Sequence, residues 1–161
     1  MTELNKYIRI FKWLSVALAG SALVMSVVFL PYFLESLAWR FPEYEFLITP
    51  AMFFIWATAI GFCYIVVLII NICGNAQSGK GFTISTAKLF DRIAVMALIE
   101  IVAYMLGFVA GTIWIMKINP YLVFLFFIVA CFCFMMFGFC KIMKHLLRKV
   151  ADIKEENEYT I

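Results

Sequence analysis

Charge is scarce in this sequence and histidine almost absent. Charged residues are 14% of the 161, where a soluble domain averages about 25%. The single histidine, His145, excludes a b-type haem held by two axial histidines of this chain. The five cysteines, Cys63, Cys73, Cys131, Cys133 and Cys140, contain no C-x-x-C pair. Cys131 and Cys133 point to different sides of a helix, so a quinone-linked membrane thiol oxidoreductase is excluded, and buried Cys behaves as a small hydrophobe. No zinc spacing, G-x-S-x-G or H-E-x-x-H occurs, and Gly79-Lys80-Gly81 lacks the full G-x-x-x-x-G-K-[ST] of a phosphate loop. The expectation is a protein without cofactor or metal, not an enzyme, and without direct nucleic-acid contact.

Apolar residues fill the space that charge leaves. They are 66% of the chain, with a mean hydropathy of +1.02. They gather in four runs, at roughly 11–34, 47–70, 93–116 and 121–140, each at or above the ~20 residues that carry an α-helix across a hydrocarbon core. The first run exceeds the ~7–15-residue core of a signal peptide, and Pro31-Tyr32-Phe33 at its end offers no small-x-small cleavage site. The predicted fold is all-α: one integral membrane domain over 1–161, an antiparallel four-helix bundle with a cytoplasmic helical tail over 141–161.

Basic residues orient the bundle. Lys6, Arg9 and Lys12 precede the first run, Lys80, Lys88 and Arg92 separate the second from the third, and Lys141, Lys144, Arg148, Lys149 and Lys154 follow the fourth. Only Arg40 and Lys117 fall on the other side. The positive-inside rule therefore puts both termini and the middle loop in the cytoplasm. The first outer connector, Glu35 to Glu45, is predicted as a loop with Trp39, Phe41 and Tyr44 as interfacial anchors.

Thr49-Pro50 and Asn119-Pro120 each predict an N-cap followed by Pro at the first helical position. The second closes a tight hairpin between spans three and four. Asn71 to Gly81 predicts a flexible loop, after which Thr83 or Ser85 caps a helix running through Lys88, Asp91 and Arg92 before entering lipid. Past Cys140, the helical spacing of Ile142, Leu146, Val150 and Ile153 continues the fourth helix. Its basic stretch, Lys141 to Lys149, suits anionic lipid headgroups. The acidic stretch from Asp152 to Glu158 is left accessible.

Glu100 is the one acid deep within a span. A charge there costs ~2.5–3.5 kcal/mol or more, so it must face other helices. Ala103, Gly107 and Gly111 follow at i+3, i+7 and i+11, a stripe of small residues that allows close helix approach. Tyr104, one turn on, is a hydrogen-bond donor within reach, as are Ser15, Ser21, Ser26, Thr58 and Tyr64 from other spans. Two readings stand: a protonated carboxyl that locks the helices, or an ion, proton or ligand site formed with Tyr104.

The ending Ala151-Asp152-Ile153-Lys154-Glu155-Glu156-Asn157-Glu158-Tyr159-Thr160-Ile161 resembles that of a family of small bacterial four-span proteins, known only as domain of unknown function number 2975. Its members end in a motif like D-I-K-x-E-N-[DE]-L-T-[IV], and Tyr159 stands where they have Leu. Gly79-Lys80-Gly81-Phe82-Thr83, with Lys88 and Ile93 beyond it, is similar to the family's G-K-x-F-[ST] approach to its third span. No activity defines the family. Because its members are often encoded beside a small helix-turn-helix DNA-binding protein, the resemblance implies a bacterial plasma-membrane protein that holds a regulator. Lys80, Phe82, Asp152, Glu155, Glu156, Asn157 and Thr160 are then docking candidates. Glu100 lies outside the matched words and takes no role from them. The rival expectation is a small transporter or channel, made by homodimerisation and using Glu100.

Overall fold

The computed structural model describes the backbone of residues 2–114 and 120–158, and within these the side chains other than those of 2, 4, 44, 111, 112, 114, 120–123 and 157–158. Among the described residues only Phe41 and 78–83 lie outside helices. The elements are α1 (Thr2–Val24), a π-helical stretch (Met25–Phe29), α2 (Leu30–Arg40), a 3-10 turn (Pro42–Leu47), α3 (Ile48–Gln77), α4 (Ile84–Trp114) and α5 (Pro120–Glu158). α1, the π stretch and α2 form one rod, so four helical rods are long and apolar enough to cross a membrane. The chain is an antiparallel helical bundle and a multi-pass membrane protein.

Three sequence boundaries need correction, each for a local reason. The predicted outer loop from Glu35 to Glu45 is mostly helix: α2 runs to Arg40, and only Phe41 turns, with φ −140° and ψ 73°. Phe41 precedes Pro42, whose ring disfavours the helical region for the residue before it. Thr49 is not the cap of the second span. The 3-10 turn leads directly into α3 at Ile48 without a side-chain cap, and Pro50 in the first turn forfeits only an N–H that has no partner there. The loop predicted from Asn71 shrinks to 78–83, because α3 continues to Gln77. That end is closed by Ser78 N donating to Gly74 O, Gly79 N to Ala76 O and Lys80 N to Asn75 O. Gly79 has a φ of +75°, a conformation that side chains disfavour. Lys117 and the Asn119 cap lie outside the described residues.

The π stretch follows from Pro31. Proline has no N–H, and a regular helix would leave the carbonyl four residues earlier unpaired. The helix widens instead: the Leu30 N–H reaches back five residues to Met25 O. In that register the Ser26 carbonyl faces the Pro31 nitrogen, which has no hydrogen to give. The Trp56 indole on α3 supplies the missing donor, with Nε1 3.2 Å from Ser26 O. A proline in one helix thus creates the acceptor that pins it to the next.

Packing is uneven around the bundle. α4 and α5 make the closest pair, and several of the residues buried on them are small, Ala87, Ala94, Ala97, Ala130 and Cys140, beside the larger Ile93 and Leu147. Small side chains let two backbones approach closely where lipid gives no hydrophobic drive between helices. Leu68 of α3 joins Ile93, Ala94 and Cys140 in a cluster that ties three helices together. α1 approaches α3 and its own continuation but, among the described residues, neither α4 nor α5. Beside the membrane, Asp91 of α4 meets Lys141 Nζ at 2.9 Å and Lys144 Nζ at 2.8 Å, fastening α5 to α4 as it leaves the apolar run.

Candidate functional sites

Glu100 sits near the middle of α4, facing the junction of α3, α4 and α5. It is 7% exposed, and its Oε2 is buried without a hydrogen-bond partner. Gly61 of α3 lies directly opposite: a Cβ there would collide with Glu100 Oε1 and press on Cδ, while only touching the Met96 methyl. Cys133 of α5 also comes near the carboxyl, and so does Tyr104. Beyond Tyr104 an aromatic cap closes the junction. The Phe54 ring meets Tyr104 edge-on at 5.6 Å and Phe126 at 5.8 Å, so one ring comes from each helix. Edge-to-face geometry of this kind is the favoured one for aromatic pairs. Gly107 makes the cap possible, since a Cβ there would stand 3.2 Å from Phe54 and 3.3 Å from Phe126.

The donors foreseen for Glu100 turn elsewhere. Ser15, Ser21, Ser26 and Thr58 each donate to a carbonyl of their own helix, which is what hydroxyls do when no stronger acceptor is in reach. The Tyr104 hydroxyl lies against Thr58, and Tyr64 is exposed on the outer surface. Ala103 is half-buried beside Glu100 on α4, and the surroundings of Gly111 lie outside the described residues. Gly61, Cys133 and the two phenylalanines complete the locus, and the sequence alone assigns none of them to Glu100. Gly61 carried the available signal: a glycine in an apolar run, four residues after Ala57, marks a surface that another helix can approach.

The second locus is at the end of the bundle where α1 begins, α3 ends, α4 begins and α5 continues. The turn at 78–83 is tied down from within. Asn75 Nδ2 donates to Thr86 Oγ1 at 3.1 Å, Thr86 Oγ1 donates to Lys80 O at 3.0 Å, and Thr83 Oγ1 donates to the same carbonyl at 2.9 Å. Thr83 also accepts the Thr86 N–H, capping α4. The turn thereby holds out Lys80 and Phe82, the latter 65% exposed. Alongside it, the 39 residues of α5 measure about 58 Å at 1.5 Å per residue, nearly twice a hydrocarbon core of ~30 Å. Its inward face buries Cys140 and Leu147, while Ile142, Leu146, Val150 and Ile153 are exposed on another. Asp152, Glu155 and Glu156 are also at the surface. The side chain of Asn157 and residues 159–161, Thr160 among them, lie outside the described residues.

Among the described residues no three His, Cys, Asp or Glu side chains converge as metal ligands. A helical membrane bundle with a buried carboxyl and an ordered polar end defines a class, and a family model now narrows it. The model described as "protein of unknown function (DUF2975)" matches residues 32–161, and the chain belongs to that family. No curated protein and no solved structure matches it.

Proposed function

We propose that this chain is a non-enzymatic regulator of the bacterial plasma membrane that docks a soluble partner at its cytoplasmic end. Both termini and the 78–83 turn are on that side, as the positive-inside rule requires. One observation carries the proposal: the apolar line Ile142, Leu146, Val150 and Ile153 stays exposed on the part of α5 that outruns the bilayer, on the same end as exposed Phe82. An apolar helix face outside lipid invites a partner. A small helix-turn-helix protein is the partner class, so DNA is reached through the partner and not by this chain. The test is co-purification of the chain with the helix-turn-helix protein of its own gene neighbourhood. Leu146→Glu with Val150→Glu, or deletion of 151–161, is expected to abolish recovery. Undiminished recovery after both changes would sink the proposal.

A dimeric transporter or channel is the second reading, supported by the unpartnered Oε2 of Glu100 within the helical core. Glu100→Gln should then eliminate proton-coupled efflux from reconstituted vesicles. Absence of efflux with the native chain removes that reading.

A further inference from the structure

A cleft outside both loci opens at the membrane edge, between the start of α1 and the end of α3. It has a volume of about 370 Å³ and is lined by Asn5, Arg9, Lys12, Trp13 and Gln77. Small-molecule sites span ~300–1,000 Å³. Four of the lining residues follow on α1 at i, i+4, i+7 and i+8, the spacing of one helix face, and Gln77 is the last residue of α3.

The chemistry of the lining is one-sided. Two cations, two amides and an indole face the space, and among the described residues no carboxylate does. Among the described residues neither Arg9 nor Lys12 is paired with an acid. Lys12 leans over the last turns of α3, near enough for its charge to act on Cys73. A helix C-terminus attracts cations through its free carbonyls, yet here Gly74, Asn75 and Ala76 already accept the N–H groups of Ser78, Lys80 and Gly79. The end of α3 is thus satisfied by its own turn, and two adjacent cations are left facing an open cleft.

We propose that this cleft binds a phosphate group, with Arg9 and Lys12 as its charge partners and the Asn5 and Gln77 amides as further donors. Arg and Lys are the usual phosphate ligands, Arg through its planar fork and Lys as a point charge. A phospholipid headgroup supplies such a group at this depth. The first apolar run opens at Phe11, and Trp13 is 67% exposed at that level, the position where indoles mark the lipid–water interface. Free phosphate is the other source of the same chemistry. This site is separate from the basic stretch of α5 and does not depend on the docking proposal.

Native mass spectrometry of the full chain in detergent tests the site, titrating phosphatidylglycerol, phosphatidylcholine or inorganic phosphate. Saturable binding of phosphatidylglycerol is expected, weakened about ten- to a hundredfold by Arg9→Gln with Lys12→Gln. Lys88→Gln with Arg92→Gln, two exposed positions near the start of α4, removes equal charge and should leave that binding intact. If inorganic phosphate binds with the same dependence on Arg9 and Lys12 and lipid does not, the site stands with a soluble ligand. No saturable binding of any probe, or an equal loss in both double variants, overturns it. If the Arg9 and Lys12 double variant fails to fold, each single substitution carries the same test.

Discussion

Gly61 of α3 faces Glu100 of α4, and the absence of a side chain at position 61 is what leaves room for the carboxyl. The colliding atom, Oε1, ends a flexible side chain, but that chain is enclosed by three helices and has no water to swing into. Gly61→Ala should therefore overpack the contact and cost about 1–3 kcal/mol. In a Glu100→Ala background the same change meets open space and should cost little. The two substitutions should couple by about 0.5–3 kcal/mol in thermal unfolding of the detergent-solubilised protein. Strict additivity would mean that the two residues do not share this space.

The sequence suggested a carboxyl held by hydrogen bonds, and the structure revises that expectation for one oxygen. Oε2 is buried and unpartnered, and an orphaned buried polar atom costs about 1–3 kcal/mol. Glu100→Met keeps most of the volume and removes the orphan. It should match or exceed the native stability, by up to about 2 kcal/mol. A stable Met variant that has lost partner binding or efflux would show that the acid is kept for function at the expense of packing. Destabilisation by more than about 1 kcal/mol would mean instead that the carboxyl makes a bond in the membrane.

Gly107 tests the aromatic cap. Phe54 and Phe126 close over its bare Cα so nearly that a Cβ would stand 3.2–3.4 Å from them, tighter than an ordinary contact. Gly107→Leu should push the rings of α3 and α5 away from α4 and lower stability by about 1–3 kcal/mol. Phe126→Ala in the same chain opens space for the new side chain, so the two effects should not add. Unchanged melting of Gly107→Leu would place this face of α4 against lipid.

The Trp56–Ser26 bond predicts a dependence on a proline it does not touch. Trp56→Phe removes the indole donor on the Ser26 carbonyl and should cost about 0.5–1.5 kcal/mol. Pro31→Ala restores an N–H at position 31, which lets the helix satisfy Ser26 O itself. The Trp56→Phe penalty should then shrink, as read from melting of the four combinations. An unaltered penalty would detach the bond from the π stretch.

The four spans were legible because hydropathy needs only a run of side chains, and Glu100 stood out because an acid is rare in such a run. The uneven packing was not. Nothing local to α4 says that Ala87, Ala94 and Ala97 are buried rather than turned to lipid, since small residues on a membrane helix look alike until a partner is chosen. Gly61 escaped for the same reason: its role exists only opposite a carboxyl on another helix. The outer loop and the middle loop are shorter than their polarity implies, because polarity alone does not end a helix. Asn71 to Gln77 is polar enough to leave lipid, yet it keeps its backbone hydrogen bonds in water, and the chain turns only where Gly79 permits it.

Orientation follows from charge alone, and it can be tested without reference to packing. Ser36 lies near the end of α2 and Ser78 opens the turn after α3, and both are exposed at opposite ends of the bundle. In a chain freed of its five cysteines, a single Cys at either position can be labelled with an impermeant maleimide. Eleven basic residues on the Ser78 side should keep that end in the cytoplasm. Ser36→Cys should therefore react in intact cells, and Ser78→Cys only after lysis. Labelling of position 78 in intact cells would invert the protein, put the exposed face of α5 outside the cell, and remove the docking proposal along with the orientation.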